Sequence, residues 1–131
     1  MQNVYRFVLA IACFLPSLSS ACQYFGPRTA EDLPPGSWHQ NSLSVFIGKI
    51  IEIKEGASDD EITIHVAERI KGESGDLLTT KHSRMLWIWC SLHRPVVGDN
   101  VLFALDPRNN HNLVPIDPTS AYAQALRDWK P

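Results

Sequence analysis

The chain has 131 residues, a formal net charge of −2 and an apolar share of 44%, the size and composition of one small domain with a modest core. Its 12 Lys and Arg residues are scattered and balanced by 14 acids. There is no basic stripe of the kind that tracks a phosphate backbone, so no nucleic-acid partner is expected.

Residues 1–21 read MQNVYRFVLAIACFLPSLSSA. One basic residue, Arg6, precedes the apolar run Phe7–Leu15, which Pro16 breaks before a stretch of small residues. This is the three-part pattern of a secretory signal peptide. The run is far shorter than the roughly 20 residues that a helix needs to cross a bilayer. Ser19 and Ala21 supply the small side chains that signal peptidase requires, placing the cut before Cys22. The expected arrangement is therefore a signal peptide over 1–21 and a mature domain over 22–131. Such a protein is exported, to the periplasm, the envelope or the extracellular space. A lipoprotein box also ends in cysteine but usually has Leu three residues earlier. Here that place holds Ser19, so lipidation of Cys22 is the alternative to plain secretion. A membrane partner is expected only in that case.

The three cysteines are Cys13, Cys22 and Cys90. Cys13 lies in the segment expected to be removed, which leaves two in an oxidising setting. A Cys22–Cys90 disulfide is expected. It closes a loop of about 69 residues, and the chain-entropy estimate for that closure is about 4 kcal/mol. Two free thiols, or a lipidated Cys22 with Cys90 alone, are the other outcomes.

Along the body, residues 26–42 are rich in Pro, Gly and polar side chains and read as an irregular lead-in, with a short helical turn at Arg28–Leu33. Residues 43–55 form the first strand. Val45, Ile47, Ile51 and Ile53 fall on one face, with Phe46 and Ile50 on the other. Gly48, in mid-strand, marks a bulge or bend. Residues 61–70 form the second strand, Ile62, Ile64, Val66 and Ile70 facing one way and Thr63, His65 and Arg69 the other. A third strand covers 77–83. Residues 84–90, RMLWIWC, read as a strand or a packed loop. Residues 100–106 form the fourth strand and 113–116 a short last one, which Pro115 places at an edge. Residues 117–130 read as a helix capped by Asp117 or Thr119, with Ala121, Tyr122, Ala125 and Leu126 at helical spacing and Trp129 extending the apolar face. The fold class is all-β with a C-terminal helix. A five-stranded, closed or nearly closed barrel suits the count better than a sandwich, which usually needs about seven strands.

In order, the chain presents an exported Cys22, Phe46-Ile47-Gly48-Lys49-Ile50, Lys71-Gly72, Cys90, Gly98 and Val101-Leu102-Phe103. This succession resembles the N-terminal domain of the tissue inhibitors of metalloproteinases and the related netrin-like modules, including bacterial exported proteins of that pattern. It runs from Cys22 to about Leu105. The resemblance implies a five-stranded OB-type β-barrel. It also implies that the amine and carbonyl of Cys22 can chelate the zinc of a metalloprotease, that Cys90 pins Cys22, and that Gln23 points to the protease's specificity pocket. The family begins Cys-x-Cys and often has Cys-Gly; here the corresponding residues are Cys22-Gln23-Tyr24 and Cys90-Ser91.

Other chemistry is sparse. His39, His65, His82, His93 and His111 form no HxH or HExxH pair, so no metal of the chain's own is expected. Asp59-Asp60-Glu61 read as a solvated turn, and Ser83, Ser91 and His93 lack a third partner or a Gly-rich elbow. Neither catalysis nor a cofactor is expected. Trp87 and Trp89, among the cations of residues 81–94, read as the cover of a core edge around the disulfide or as a partner surface. The function expected is non-catalytic binding at the envelope or outside the cell. The partner is a protein, with a metalloprotease as the alternative, and the contact residues are Cys22, Gln23, Tyr24, Trp87 and Trp89.

Overall fold

In the computed structural model, which describes residues 22, 24 and 26–131, the β-branched run of residues 44–55 becomes the strand on which the sheet is assembled. The signal-peptide reading of residues 1–21 and the role given to Gln23 lie outside the described residues. β1 (Ser44–Glu55) pairs antiparallel with β2 (Asp59–Lys71) on one side and with β4 (Asn100–Leu105) on the other. β3 (Leu77–Ser83) adds to β2, and β5 (His111–Pro115) adds to β4. The described residues thus form a five-stranded antiparallel sheet in the order β3-β2-β1-β4-β5. Three helices flank it: α1 (Pro35–Asn41), α2 (Arg84–Trp89) and α3 (Ala121–Asp128).

The central strands are buried on both faces, and the pleat explains how. On β4, Leu102 and Ala104 join Val45, Ile47 and Val114 in a cluster with Trp38 of α1 and Ala123 and Leu126 of α3. Their neighbours Val101 and Phe103 point the other way, to Ile50, Ile62, Ile64, Phe46 and Val66. Leu78 of β3 and Leu113 of β5 pack against this second set, although they belong to opposite edges of the sheet. The sheet is therefore curled until its edges converge. It is not closed, because no strand pairing joins β3 to β5.

Curling is concentrated in β1. Its register with β2 shifts between Val45 and Phe46, between Ile47 and Gly48, and between Ile50 and Glu52. Each extra residue bends the strand and raises its twist. The shifts also correct the simple alternation expected from the sequence. Ile51 is the residue passed over between the Ile50–Ile64 and Glu52–Thr63 pairs, and it is 46% exposed. Gly48 permits a close crossing: a Cβ there would strike the carbonyl oxygen of His65 and lie 2.6 Å from Ile64 Cγ2.

Two further segments differ from expectation. The lead-in holds a 3-10 turn, Ala30–Asp32, inside the expected turn, and then α1, which was not expected. Its sequence, PGSWHQN, has poor helix propensity apart from Pro35 at the first turn. Tertiary contacts hold it instead. Trp38 is 2% exposed; its Nε1 donates to Ala30 O and Tyr122 Oη, each at 3.0 Å. Lys71 Nζ donates to the carbonyls of His39 and Ser42, each at 2.6 Å. The second difference is α2, helical where a strand or packed loop was expected. Ser83 caps it, its hydroxyl accepting from Met85 N. At the C-terminal helix the cap is Ser120, which accepts from Ala123 N. Asp117 instead organises the preceding turn through Thr119.

Replacing Gly48 with Val is expected to destabilise the fold by about 2 kcal/mol or more, since backbone rather than a flexible side chain must yield. Urea denaturation of Gly48→Val beside the parent measures this.

Candidate functional site

The chain's lead-in is tied to the end of α2. Cys22 and Cys90 are joined by a disulfide with Cα atoms 5.0 Å apart and a sequence separation of 68. A second link follows: Arg28 Nη1 donates to the carbonyl oxygen of Cys90 at 2.8 Å. Asp32 fixes the turn beyond, accepting from the backbone amides of Arg28 and Thr29 at 2.8 and 3.1 Å. Those amides hold its carboxyl below the ordinary aspartate range. Between these anchors Tyr24 donates from its hydroxyl to Pro27 O at 2.7 Å, and burial raises its phenol. Cys22, Tyr24 and residues 26–28 therefore form a strap across one end of the sheet.

After Cys90 the chain reverses through Ser91, whose φ of 56° is left-handed. An L-residue resists this conformation and glycine does not. Leu92 N and Cys90 N both donate to Leu86 O at 3.2 Å, closing the C-terminus of α2.

Helical geometry separates the two tryptophans. On a strand Trp87 and Trp89 would share a face; on α2, with about 3.6 residues per turn, they point nearly opposite ways. Trp87 is half-buried, with the Arg94 guanidinium 4.4 Å above its ring. Its Nε1 is buried and without a hydrogen-bond partner among the described residues. Trp89 is 55% exposed and stands with Met85 and Ile88, also exposed. Their i, i+3, i+4 spacing forms one outward apolar face. So Cys22, Tyr24, Trp87 and Trp89 lie around one end of the sheet, but only Trp89 presents a large exposed apolar side chain. Met85 and Ile88 are not among the expected contact residues, because a strand or packed loop over residues 84–90 does not group them with Trp89. The signal that could have found them is Ser83, a good N-cap two residues before the apolar run Met85–Trp89.

Between the converging edges of β3 and β5 lies an open pocket of about 330 Å³, lined among others by Tyr24, Leu86 and Leu92 and by His82 and His111 from the two edges. His111 Nε2 donates to Lys81 O at 2.7 Å, a side-chain bridge across the gap, and its ring stacks on Phe103. His82 is 5% exposed. It sits opposite Asp60 in the β2–β3 register, and Asp60 accepts from Arg84 Nε at 2.9 Å. Desolvation, reinforced by His111, lowers the His82 pKa below its ordinary 6.5 against the opposing pull of Asp60 and Asp59. The remaining histidines are dispersed: His39 Nε2 donates to Leu126 O, and His93 meets Asp99 at 2.8 Å. Among the described residues no three His, Cys, Asp or Glu side chains converge to hold a metal ion, and no helix is long and apolar enough to cross a membrane.

These features define a class: a small antiparallel β protein, disulfide-strapped, with an apolar helix face at one end. No protein-family model matches the chain, and no curated protein matches it.

The His82 shift has a definite sign. The folded pKa is depressed, so above the unfolded value neither state is protonated and the histidine has no effect on stability. As pH falls through the unfolded value, the unfolded chain takes up a proton that the folded chain resists, and stability drops. Unfolding free energy is expected to fall between about pH 7.5 and pH 5, and His82→Phe is expected to flatten that segment of the curve. Urea midpoints of the two proteins across this range provide the comparison.

Proposed function

We propose that the chain is an exported, non-catalytic binding module that docks a protein partner through the outward face of α2 and the strap beside it. The observation that carries this is Met85, Ile88 and Trp89, three large side chains exposed together on a helix of six residues. Isolated apolar residues on a surface need no explanation, but a grouped set that includes a tryptophan has the composition of an interface anchor. The disulfide supports the same reading, because it fixes α2 and the strap relative to each other. A rigid contact surface loses less entropy on binding than a mobile one. It also favours an oxidising compartment and agrees with the signal peptide expected over residues 1–21.

The barrel belongs to this proposal. We read the sheet as an OB-type barrel whose last seam, β3 to β5, is bridged by His111 and by the shared burial of Leu78 and Leu113. With the order of motifs from Cys22 to Leu105, that supports the netrin-like, inhibitor-like relationship. One observation favours the narrower reading of metalloprotease inhibition: Cys22 is pinned by Cys90, which zinc chelation by its amine and carbonyl would require. Lipid anchoring would need the sulfur that the disulfide occupies, so the two states of Cys22 exclude each other.

A photo-crosslinker placed at residue 89 in the producing cells is expected to trap one protein that a crosslinker at Lys49 does not. With that protein purified, Trp89→Ala is expected to weaken binding at least tenfold, which is about 1.4 kcal/mol. Equal trapping at both positions, or unchanged affinity for Trp89→Ala, would remove α2 from the contact surface. The inhibitor reading makes a separate demand: acetylating the Cys22 amine of the mature chain would abolish inhibition of a zinc protease.

A further inference from the structure

The cavity between β3 and β5 leaves polar chemistry unfinished inside the fold. At about 330 Å³ it falls at the lower end of small-ligand pockets, roughly 300–1,000 Å³. Its lining combines the apolar side chains of Leu86, Leu92 and Leu113 with the polar ones of His82, His111 and Asn112. Buried polar groups nearly always find a partner, because an unmet one costs about 1–3 kcal/mol. His82 is buried and its Nδ1 has no partner among the described residues. The second imidazole is complementary. His111 donates from Nε2 to Lys81 O, so in the neutral ring Nε2 holds the hydrogen and Nδ1 is left with a lone pair.

We propose that this cavity binds a small monocarboxylic acid with a short apolar body. The body lies against Leu86, Leu92 and Leu113, and the carboxyl group meets His82, His111 and Asn112. The acid's O–H bond breaks as its proton passes to His111 Nδ1, where an N–H bond forms. The neutral acid and neutral imidazole become a carboxylate and an imidazolium, with no change in total charge. The carboxylate accepts hydrogen bonds from His111 Nδ1, from His82 Nδ1 in its protonated tautomer, and from the Asn112 amide. Counted from the free carboxylate present near neutral pH, binding takes up one proton.

The surrounding charges suit a single negative group. Asp59 of β2 and Lys81 of β3 line the site, and Asp60, opposite His82 in the β2–β3 register, pairs with Arg84 of α2. Arg84 is committed to Asp60, and Asp59 offsets Lys81. Tyr24, on the covering strap, is neutral because burial raises its phenol. A dianionic phosphate would meet Asp59 and the three leucines, whereas an amphipathic monoanion meets both apolar and donating side chains. The site uses the inner side of α2 and the strap, so it stands apart from the outward face of Met85, Ile88 and Trp89.

The experiment uses the oxidised mature chain, labelled with 15N in its histidine rings, titrated with benzoate and with its neutral isostere benzamide. The expected result is a saturable shift of the His82 and His111 ring resonances with benzoate. Affinity should rise about tenfold per unit of pH lowered from pH 8 to pH 7, the signature of one proton taken up; benzamide should show no such dependence. His82→Phe is expected to weaken benzoate at least tenfold. Leu92→Trp, filling the apolar part of the lining, should abolish the shifts, with Leu113→Phe as the second filling variant should Leu92→Trp not fold. Absence of a saturable shift up to about 20 mM benzoate, well beyond millimolar affinity, would overturn the proposal. So would pH-independent affinity, or full binding by a folded cavity-filling variant.

Discussion

The Cys22–Cys90 disulfide is the constraint on which the organisation of this molecule's functional end depends. Without it, Cys22, Tyr24 and residues 26–28 would be a lead-in with a few hydrogen bonds to hold them. With it, the strap is fixed against the C-terminus of α2, and Arg28 reaches the carbonyl of Cys90. Closure of so long a loop removes on the order of 4 kcal/mol of unfolded-state freedom in the chain-entropy view, a large fraction of the 5–15 kcal/mol typical of a small domain. Position matters as much as magnitude. The cross-link joins a strap that covers the β3–β5 cavity to a helix that lines the cavity with one face and offers Met85, Ile88 and Trp89 on another.

The sheet sets the stage for that arrangement by curling. Three register shifts along β1, with Gly48 admitting the close approach of β2, bring edges that are four strands apart near each other. The meeting is incomplete. A single side chain, His111, spans to a carbonyl of β3, and Leu78 and Leu113 share a core set. An open seam is a weak point in a β protein, since its backbone groups lack ladder partners. Here the strap and α2 partly cover it. The opposite face follows ordinary core physics, with α1 and α3 closing over Val45, Ile47, Leu102 and Val114.

Much of this was legible in the residues. The strands showed because Ile62, Ile64 and Val66 alternate cleanly against Thr63 and His65, and because burial of one face fixes the register. The disulfide followed from the count of cysteines left after Cys13. Gly48 and Pro115 announced a bend and an edge. The failures have physical causes. Ile51 was placed inside because period-two reasoning has no means of inserting a bulge. Helix α1 is hidden in the sequence because its stability comes from contacts of Trp38 with Tyr122 and of Lys71 with its last carbonyls, partners distant in sequence, rather than from its own propensity. Helix α2 stands where a strand or a packed loop is expected, because a six-residue apolar stretch shows too little periodicity to separate helix from strand, and its Ser83 cap is the local signal for the helix. The cavity could not be seen at all, since it is made by β3 and β5, two elements that meet only after the sheet has curled.

The most direct measurement is the intact mass of the protein isolated from cells that produce it, taken with and without reductant. Export and strapping through Cys22–Cys90 predict a mass equal to residues 22–131, increasing by two hydrogens on reduction. A mass raised by a diacylglycerol and an acyl chain, with no change on reduction, would show that the Cys22 sulfur carries lipid. The strap would then lack its anchor, and neither a chelating amine nor a disulfide-fixed contact surface could be sustained.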